Sequence, residues 1–111
     1  MAETTIIEPT HWARIYSSGP IEVAKQALRA ECLREGLCVT IESTTYIYTG
    51  GEESGFVVGI VNYPRFPRPR HEIHDRALIV ARLLLDACLQ HSILLVEPEA
   101  STWITKREVR T

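Results

Sequence analysis

The chain has 111 residues, of which 45% are hydrophobic and 23% charged, and its formal net charge is -2. This length and composition predict one soluble globular domain and exclude an intrinsically disordered chain. The slightly negative charge excludes a protein held on duplex DNA by bulk electrostatic attraction, and the lack of a long apolar run excludes a membrane-spanning helix.

The first third of the sequence predicts an arm, a strand and a helix. Residues 1–10 show no periodic pattern, and we expect them to form a loosely held arm. Residues 11–16 are rich in strand-forming residues. From Pro20 to Glu35, apolar residues recur every three or four positions, which is typical of an amphipathic helix, and Gly36 suits the position just after its end.

A long hairpin follows this helix. Residues 37–48 alternate between apolar and polar side chains, which predicts a strand with one face on the core. Residues 49–55 form a polar tip that contains three glycines. The return strand, residues 55–63, is apolar on both faces, and such a strand belongs in the middle of a sheet.

The last part of the chain predicts a loop, a helix and two strands. Residues 64–70 are rich in proline and arginine and should be stiff and extended. The helix over residues 71–90 has more apolar side chains than one sheet face requires, and we interpret the surplus as a contact between subunits. Residues 93–96 and 102–106 form strands, and residues 108–111 are a polar tail.

The order strand-helix-strand-strand-helix-strand-strand predicts an α+β protein. It matches the ferredoxin-like split βαβ fold over residues 11–107, with an antiparallel sheet and both helices on one face. In that fold the first and third strands are central, which agrees with the two apolar faces of the third. We expect the fifth strand to lie beside the fourth.

The proline-rich segment is the first candidate ligand site. Arg65, Arg68 and Arg70 have no acidic neighbour within the segment, and guanidinium groups bind phosphate or carboxylate oxygens with two hydrogen bonds. Phe66 could stack on a base, and Arg14 could join the site if the fold brings the first strand close. The alternative interpretation is a solvated loop that only joins two elements.

The hairpin contains the second set of candidate residues. Tyr46 and Tyr48 share one face of the predicted strand and could line a ligand pocket, or they could be ordinary sheet residues. Glu52 and Glu53 lie at the flexible acidic tip, where they could bind a basic partner protein. A solvated turn is the alternative for the tip.

No motif for catalysis, metal binding or cofactor binding is visible, and we predict none of these sites. His71 and His74 have the spacing of metal ligands on a helix, but no third ligand has a matching position. The three cysteines are odd in number and lack a Cys-x-x-Cys pair, which argues against structural zinc and a disulfide framework. Because no signal-peptide pattern is present, we expect a cytoplasmic protein.

From Trp12 onward the sequence resembles a group of short uncharacterised proteins of tailed bacteriophages. The stretches YIYTGGEESG and VNYPRFP are the most recognisable parts of this resemblance. It implies the cytoplasm of an infected bacterium and a counter-defence role, and it carries no functional residues over. The predicted topology also resembles the PII and CutA trimers, which hold small ligands in clefts between subunits.

These features lead to three functional hypotheses. The first is a homo-oligomer, dimer or trimer, that sequesters a small anionic, nucleotide-like ligand in a cleft between subunits. The second is a protein–protein inhibitor of a host nuclease or defence enzyme. The third is a small nucleotide-processing enzyme, which ranks last because the sequence shows no acid–base constellation.

Overall fold

The computed structural model describes residues 2–108, which form five strands and two helices. Residues 2–11 have no regular secondary structure, and the predicted tail 109–111 lies outside the described residues. The elements follow the predicted order. They are β1 (Trp12–Ser18), α1 (Ile21–Glu35), β2 (Thr40–Tyr48), β3 (Gly51–Val61), α2 (Arg70–Ala87), β4 (Ser92–Val96) and β5 (Ser101–Thr105).

The five strands form one antiparallel sheet in the order β2-β3-β1-β4-β5. The fold is therefore the predicted ferredoxin-like arrangement, with β1 and β3 inside the sheet. The prediction that the fifth strand lies beside the fourth is also confirmed. The register places Arg14 of β1 opposite Gly59 of β3 on one side and Val96 of β4 on the other.

The hairpin between β2 and β3 is longer than the sequence predicts, because its turn is shorter. Tyr48 pairs with Gly51, and the turn consists of Thr49 and Gly50, whose φ of 91° is a conformation that glycine adopts without strain. The predicted seven-residue tip was therefore wrong. Polar residues 52–54 continue the ladder, because pairing of the backbone does not require apolar side chains.

The core lies between the two helices and one face of the sheet. The fully buried side chains of greatest volume come from β1, β3, β4 and α2; they are Phe56, Ile15, Leu84, Ile93, Leu95, Val58 and Val80. Alternate residues of each strand point to this face, and neither described helix packs on the other face, which we call the uncovered face of the sheet.

The surplus of apolar residues on α2 is smaller than predicted. Leu85 is buried and Leu78 packs against the core, since α2 contacts both the sheet and α1. Ile79 and Leu89 are the clearly exposed members of the predicted surplus, at 44% and 87% of their surface. The uncovered face of the sheet also exposes apolar side chains, with Trp103 at 56%, Leu94 at 36% and Val61 at 59% exposed. Neither described helix is long and apolar enough to cross a bilayer.

Candidate functional site

The loop between β3 and α2, residues 62–69, is anchored by the side chain of Asn62. This residue is only 8% exposed. Its Nδ2 donates a hydrogen bond to the Pro9 carbonyl at 2.8 Å, and its Oδ1 accepts one from the Arg68 N–H at 2.8 Å. One buried amide thus ties together the end of the N-terminal arm, the end of β3 and the arginine-containing loop.

Behind this loop lies a cavity of about 580 Å³, which we call the arginine cavity. Its lining is largely apolar and includes two arginines but no acidic residue. The lining residues are Gly36, Leu37, Cys38, Ile60, Val61, Tyr63, Phe66, Arg68, Ile73 and Arg76. The volume falls within the range of roughly 300–1,000 Å³ that is usual for small-molecule sites.

Two aromatic rings stand at the mouth of the arginine cavity. Tyr63 and Phe66 are stacked, with centroids 6.2 Å apart and planes inclined by 20°. Both side chains are more than half exposed, at 53% and 65%. The guanidinium of Arg65 lies over the Phe66 ring, 5.5 Å from its centroid. Exposed aromatic surface beside an apolar cavity provides a platform for a flat ligand.

The inner wall holds a guanidinium that is not fully paired. The Arg76 side chain is 13% exposed, and its Nη2 lies 3.7 Å from Oε2 of the buried Glu31. This Nη2 is buried and has no hydrogen-bond partner among residues 2–108. A buried donor of this kind is costly to leave unsatisfied, and this nitrogen lies beside Glu31 with almost no surface accessible from outside.

Glu31 lies too far from Nη2 of Arg76 for a hydrogen bond, and its two oxygens accept hydrogen bonds from another arginine. Arg34 donates from Nε to Oε1 at 2.7 Å and from the second terminal nitrogen to Oε2 at 2.8 Å. These hydrogen bonds hold the pKa of Glu31 below its ordinary value, against the opposing effect of burial, and the charges of Arg34 and Arg76 act in the same direction. Glu31 is therefore held as a carboxylate, and it keeps Arg76 in place from a distance.

The predicted arginines and Phe66 lie in three different places. Phe66 and Arg68 line the arginine cavity, and Arg65 stacks at its mouth. Arg70 begins α2 and forms an ion pair with Glu99 at 2.6 Å on the other side of that helix. Arg14 lies on the uncovered face of the sheet, with its guanidinium 5.2 Å from the centre of the Trp12 ring.

The loop of residues 62–69, which we call the arginine loop, lies at one end of the sheet. The predicted tyrosines and glutamates lie toward the opposite end. At about 3.3 Å per residue, Glu53 and Gly59 are about 20 Å apart along β3. Within one protomer the two predicted groups therefore do not meet. Glu52 is exposed on β3, where it pairs with Ile47.

At that end, Tyr46 crosses the sheet over Gly55. Its hydroxyl donates to the Phe56 carbonyl at 2.8 Å, and burial raises the pKa of this hydroxyl. Glu53 accepts a hydrogen bond from the Ser18 hydroxyl at 2.6 Å and a longer one from the Tyr48 hydroxyl at 3.4 Å. The cluster connects the hairpin to the end of β1.

Sequence reasoning missed Arg76, Tyr63 and Cys38 as parts of the site. Arg76 follows Ile73 by three positions on α2, so a cation stands next to the apolar stripe, and this was the available signal. Its partner Glu31 lies on a different helix, which no local pattern reveals. Among residues 2–108, no group of three or more histidine, cysteine, aspartate and glutamate side chains could hold a metal ion.

Comparison with known proteins shows that this chain is similar to others in structure but not detectably in sequence. No protein-family model matches the sequence, and no curated protein is significantly similar to it. A phage SAM lyase in its apo state superposes with a TM-score of 0.67 at 15% identity, over 90% of this chain and 92% of that one. A phage SAM lyase in complex with S-methyl-5'-thioadenosine gives 0.64 at 14% identity, over 95% and 96%.

The chain has the fold of a phage SAM lyase. The match covers nearly the whole of both chains in each comparison. At this identity the likeness carries no residue from one protein to the other. Both neighbours are phage proteins, as are the short proteins that the sequence resembles.

Proposed function

We propose that this protein binds S-adenosylmethionine and cleaves it to methylthioadenosine, in a cleft between copies of the chain to which the arginine cavity contributes one wall. The observation that carries the proposal is the fold shared with SAM lyases over at least 90% of either chain. This proposal narrows the nucleotide-like ligand predicted from the sequence to an adenosine derivative. It also replaces the predicted anionic ligand by one that carries a negative carboxylate and a positive sulfonium.

The arginine cavity suits the two ends of such a ligand. The adenine ring would stack at the aromatic platform of Tyr63 and Phe66, since stacking on aromatic side chains is a general way to hold a base. The carboxylate would pair with the guanidinium of Arg76, whose side chain lines the cavity. The lining between these ends is apolar and free of acidic residues.

The reaction needs little acid–base catalysis from the protein. The bond between sulfur and the aminobutyryl arm breaks, and its electron pair moves to sulfur, which turns the sulfonium into a neutral thioether. The arm closes on its own carboxylate, whose oxygen forms a new bond to the carbon that leaves sulfur, so the step needs no proton acceptor. Ring closure consumes one positive and one negative charge, so an apolar wall that solvates separated charges poorly favours it.

Sequestration without turnover is the second candidate function. It is favoured by the lining itself, because the arginine cavity contains no histidine, aspartate or glutamate among the described residues. Binding or cleavage would both lower the free S-adenosylmethionine of a host cell, and both therefore agree with a counter-defence role. Only the formation of product distinguishes cleavage from sequestration.

The first test is to incubate the purified protein with S-adenosylmethionine and to follow methylthioadenosine by liquid chromatography, with calorimetry for binding. Arg76→Gln should lower the affinity by at least about tenfold, because one charge-assisted hydrogen bond is lost. Arg82→Gln, an exposed change on the same helix, is the matched control. Binding without product supports sequestration, and the absence of both refutes the proposal.

Cys38 provides a test of where the ligand sits. It is exposed and lines the arginine cavity, whereas burial raises the pKa of the Cys32 and Cys88 thiols and makes them slower to alkylate. We expect saturating S-adenosylmethionine to slow alkylation of Cys38 by iodoacetamide severalfold. Cys38→Ser identifies the labelled site. If the ligand binds but leaves the labelling rate unchanged, the arginine cavity is the wrong location.

A further inference from the structure

The N-terminal arm is anchored at Pro9, and we call the residues that precede this anchor, 2–8, the free arm. No backbone hydrogen bond joins the free arm to any other residue of the described range 2–108. Its residues 4–7 are Thr-Thr-Ile-Ile, four β-branched residues in a row, which is typical of a strand. Ile6 and Ile7 are nevertheless 51% and 88% exposed. The free arm therefore has the sequence of a strand but no strand beside it in its own chain.

The outer edge of β5 offers a matching row of backbone groups. β5 is the last strand of the sheet, and no described strand lies beyond it. The N–H of Lys106 donates to the carbonyl of His91 in front of β4, and alternate residues of an antiparallel strand form hydrogen bonds to the same side. Three residues of β5 therefore direct their N–H and C=O groups away from β4; they are Ser101, Trp103 and Thr105.

The free arm and this edge are complementary in one antiparallel register. With Ile6 opposite Trp103, every second residue of the free arm meets one of the three outward-facing residues of β5. A β-branched side chain beside an aromatic one is a favourable pair across two strands. The same register places Glu3 opposite Lys106, which pairs opposite charges. The free edge of β2, in contrast, contains Glu42 and no basic residue, so it would repel the acidic arm.

The free arm cannot reach the edge of its own sheet. Asn62 follows β3, and β5 lies three strands away from β3, at about 14 Å for a strand spacing of about 4.8 Å. A strand added outside β5 would lie about 19 Å from β3. Because Pro9 is held by the Asn62 side chain, and Glu8 is only about 3.8 Å further along the chain, Glu8 cannot lie beside Ser101 of the same copy.

We propose that the free arm of one copy adds a sixth strand to the sheet of a second copy, antiparallel to β5, with residues 3–8 beside residues 101–106. The added strand satisfies backbone groups that are unpaired on both sides of the contact. Ile6 then covers part of the exposed Trp103 on the uncovered face of the sheet. This contact involves neither the arginine cavity nor a ligand, so it is independent of the proposed reaction.

Two proline variants test the pairing through the direction of their N–H groups. The N–H of Thr4 would donate to Thr105 of the second copy, whereas the N–H of Thr5 would face solvent, where proline is tolerated. Thr4→Pro should therefore weaken self-association of the whole chain about tenfold in sedimentation velocity. Thr5→Pro is the matched control and should associate as the wild type does. A monomeric wild type, or equal association of the two variants, overturns the proposal.

Disulfide trapping locates the contact. Ile7 and Thr102 would form a pair without mutual hydrogen bonds, whose Cα separation of about 4.5 Å suits a disulfide. In a Cys38→Ser chain, Ile7→Cys combined with Thr102→Cys should give covalent oligomers on oxidation by copper phenanthroline, with positions 7 and 102 linked in the peptide map. Ile7→Cys combined with Ser43→Cys, on the β2 edge, should give severalfold less. No link between positions 7 and 102, or an equal yield at position 43, contradicts the proposed edge.

Discussion

At the scale of single residues, the most informative group is the buried network of Glu31, Arg34 and Arg76. Within α1, Arg34 binds Glu31 through two hydrogen bonds, and the one contact of this network between α1 and α2 is the longer one from Arg76 to Glu31. At 3.7 Å, Arg76 is held near the carboxylate without a hydrogen bond to it. The network therefore places opposite charges at the contact of the two helices and leaves one buried donor of Arg76 without a partner among residues 2–108.

Glu31→Gln should destabilise the protein by about 1–3 kcal/mol, because a buried arginine loses its counter-charge. Folding lowers the pKa of Glu31, so its contribution is present above the ordinary value of 4.5 and is lost as the pH falls through the folded-state pKa. Urea unfolding as a function of pH measures this. The acid limb of the stability curve should be shallower in Glu31→Gln. Glu22→Gln, an exposed change on α1, should match the wild type.

Position 55 requires glycine because neighbouring atoms leave no room for a Cβ, and not because of its backbone angles. A Cβ at this position would lie 2.3 Å from the Ser17 carbonyl oxygen and 2.6 Å from a carbon of the Tyr46 ring. Gly55→Ala should therefore cost about 1–3 kcal/mol of unfolding free energy, because backbone must move. Gly51→Ala on the same strand meets only the Tyr48 ring, at 3.2 Å, and is the control. Equal midpoints of the two variants in thermal unfolding would contradict this account.

At the scale of elements, local patterns sufficed for the fold but not for the site. The two helices and five strands were predictable because periodicity and glycine or proline boundaries are properties of neighbouring residues. The turn at Thr49 and Gly50 was missed because polar residues hid a continuing ladder. Arg76 was missed because its burial depends on packing of α1 against α2, and the separation of Tyr46 from Arg68 depends on strand register.

The arginine loop depends on one side chain, and Asn62→Ala should release it. The change removes hydrogen bonds to the Pro9 carbonyl and the Arg68 N–H, and should cost about 1–3 kcal/mol. We expect the Arg68 amide to exchange with deuterium faster in the variant than in the wild type. The increase should be larger than the loss of global stability alone would cause. Ser101→Ala at an exposed end of β5 provides the comparison. If the Arg68 amide follows the global unfolding rate in both variants, Asn62 does not hold the loop.

At the scale of the whole molecule, the uncovered sheet face is the surface through which we propose that copies of the chain assemble. It carries Trp103, Leu94 and Val61, each at least 36% exposed, together with the half-buried Trp12 and Tyr16. An apolar surface of this kind on a small protein marks an interaction site. The prediction of a homo-oligomer made from the sequence thus remains, but its contact moves from the flank of α2 to the sheet. Residues about 20 Å apart in one protomer can then meet across two.

Leu94→Glu should convert the oligomer to monomers, because a carboxylate is costly to bury between two apolar sheet faces. Sedimentation velocity measures the change, and Leu89→Glu, at an exposed position just after the end of α2, should leave the assembly as in the wild type. The same variant tests whether the ligand site is shared. If S-adenosylmethionine lies between copies, the monomer should lose binding even though its arginine cavity is intact, as judged by the alkylation rate of Cys38 without ligand. A monomer that binds as well as the wild type would place the whole site within one chain, and a wild type that is itself monomeric would remove the cleft altogether.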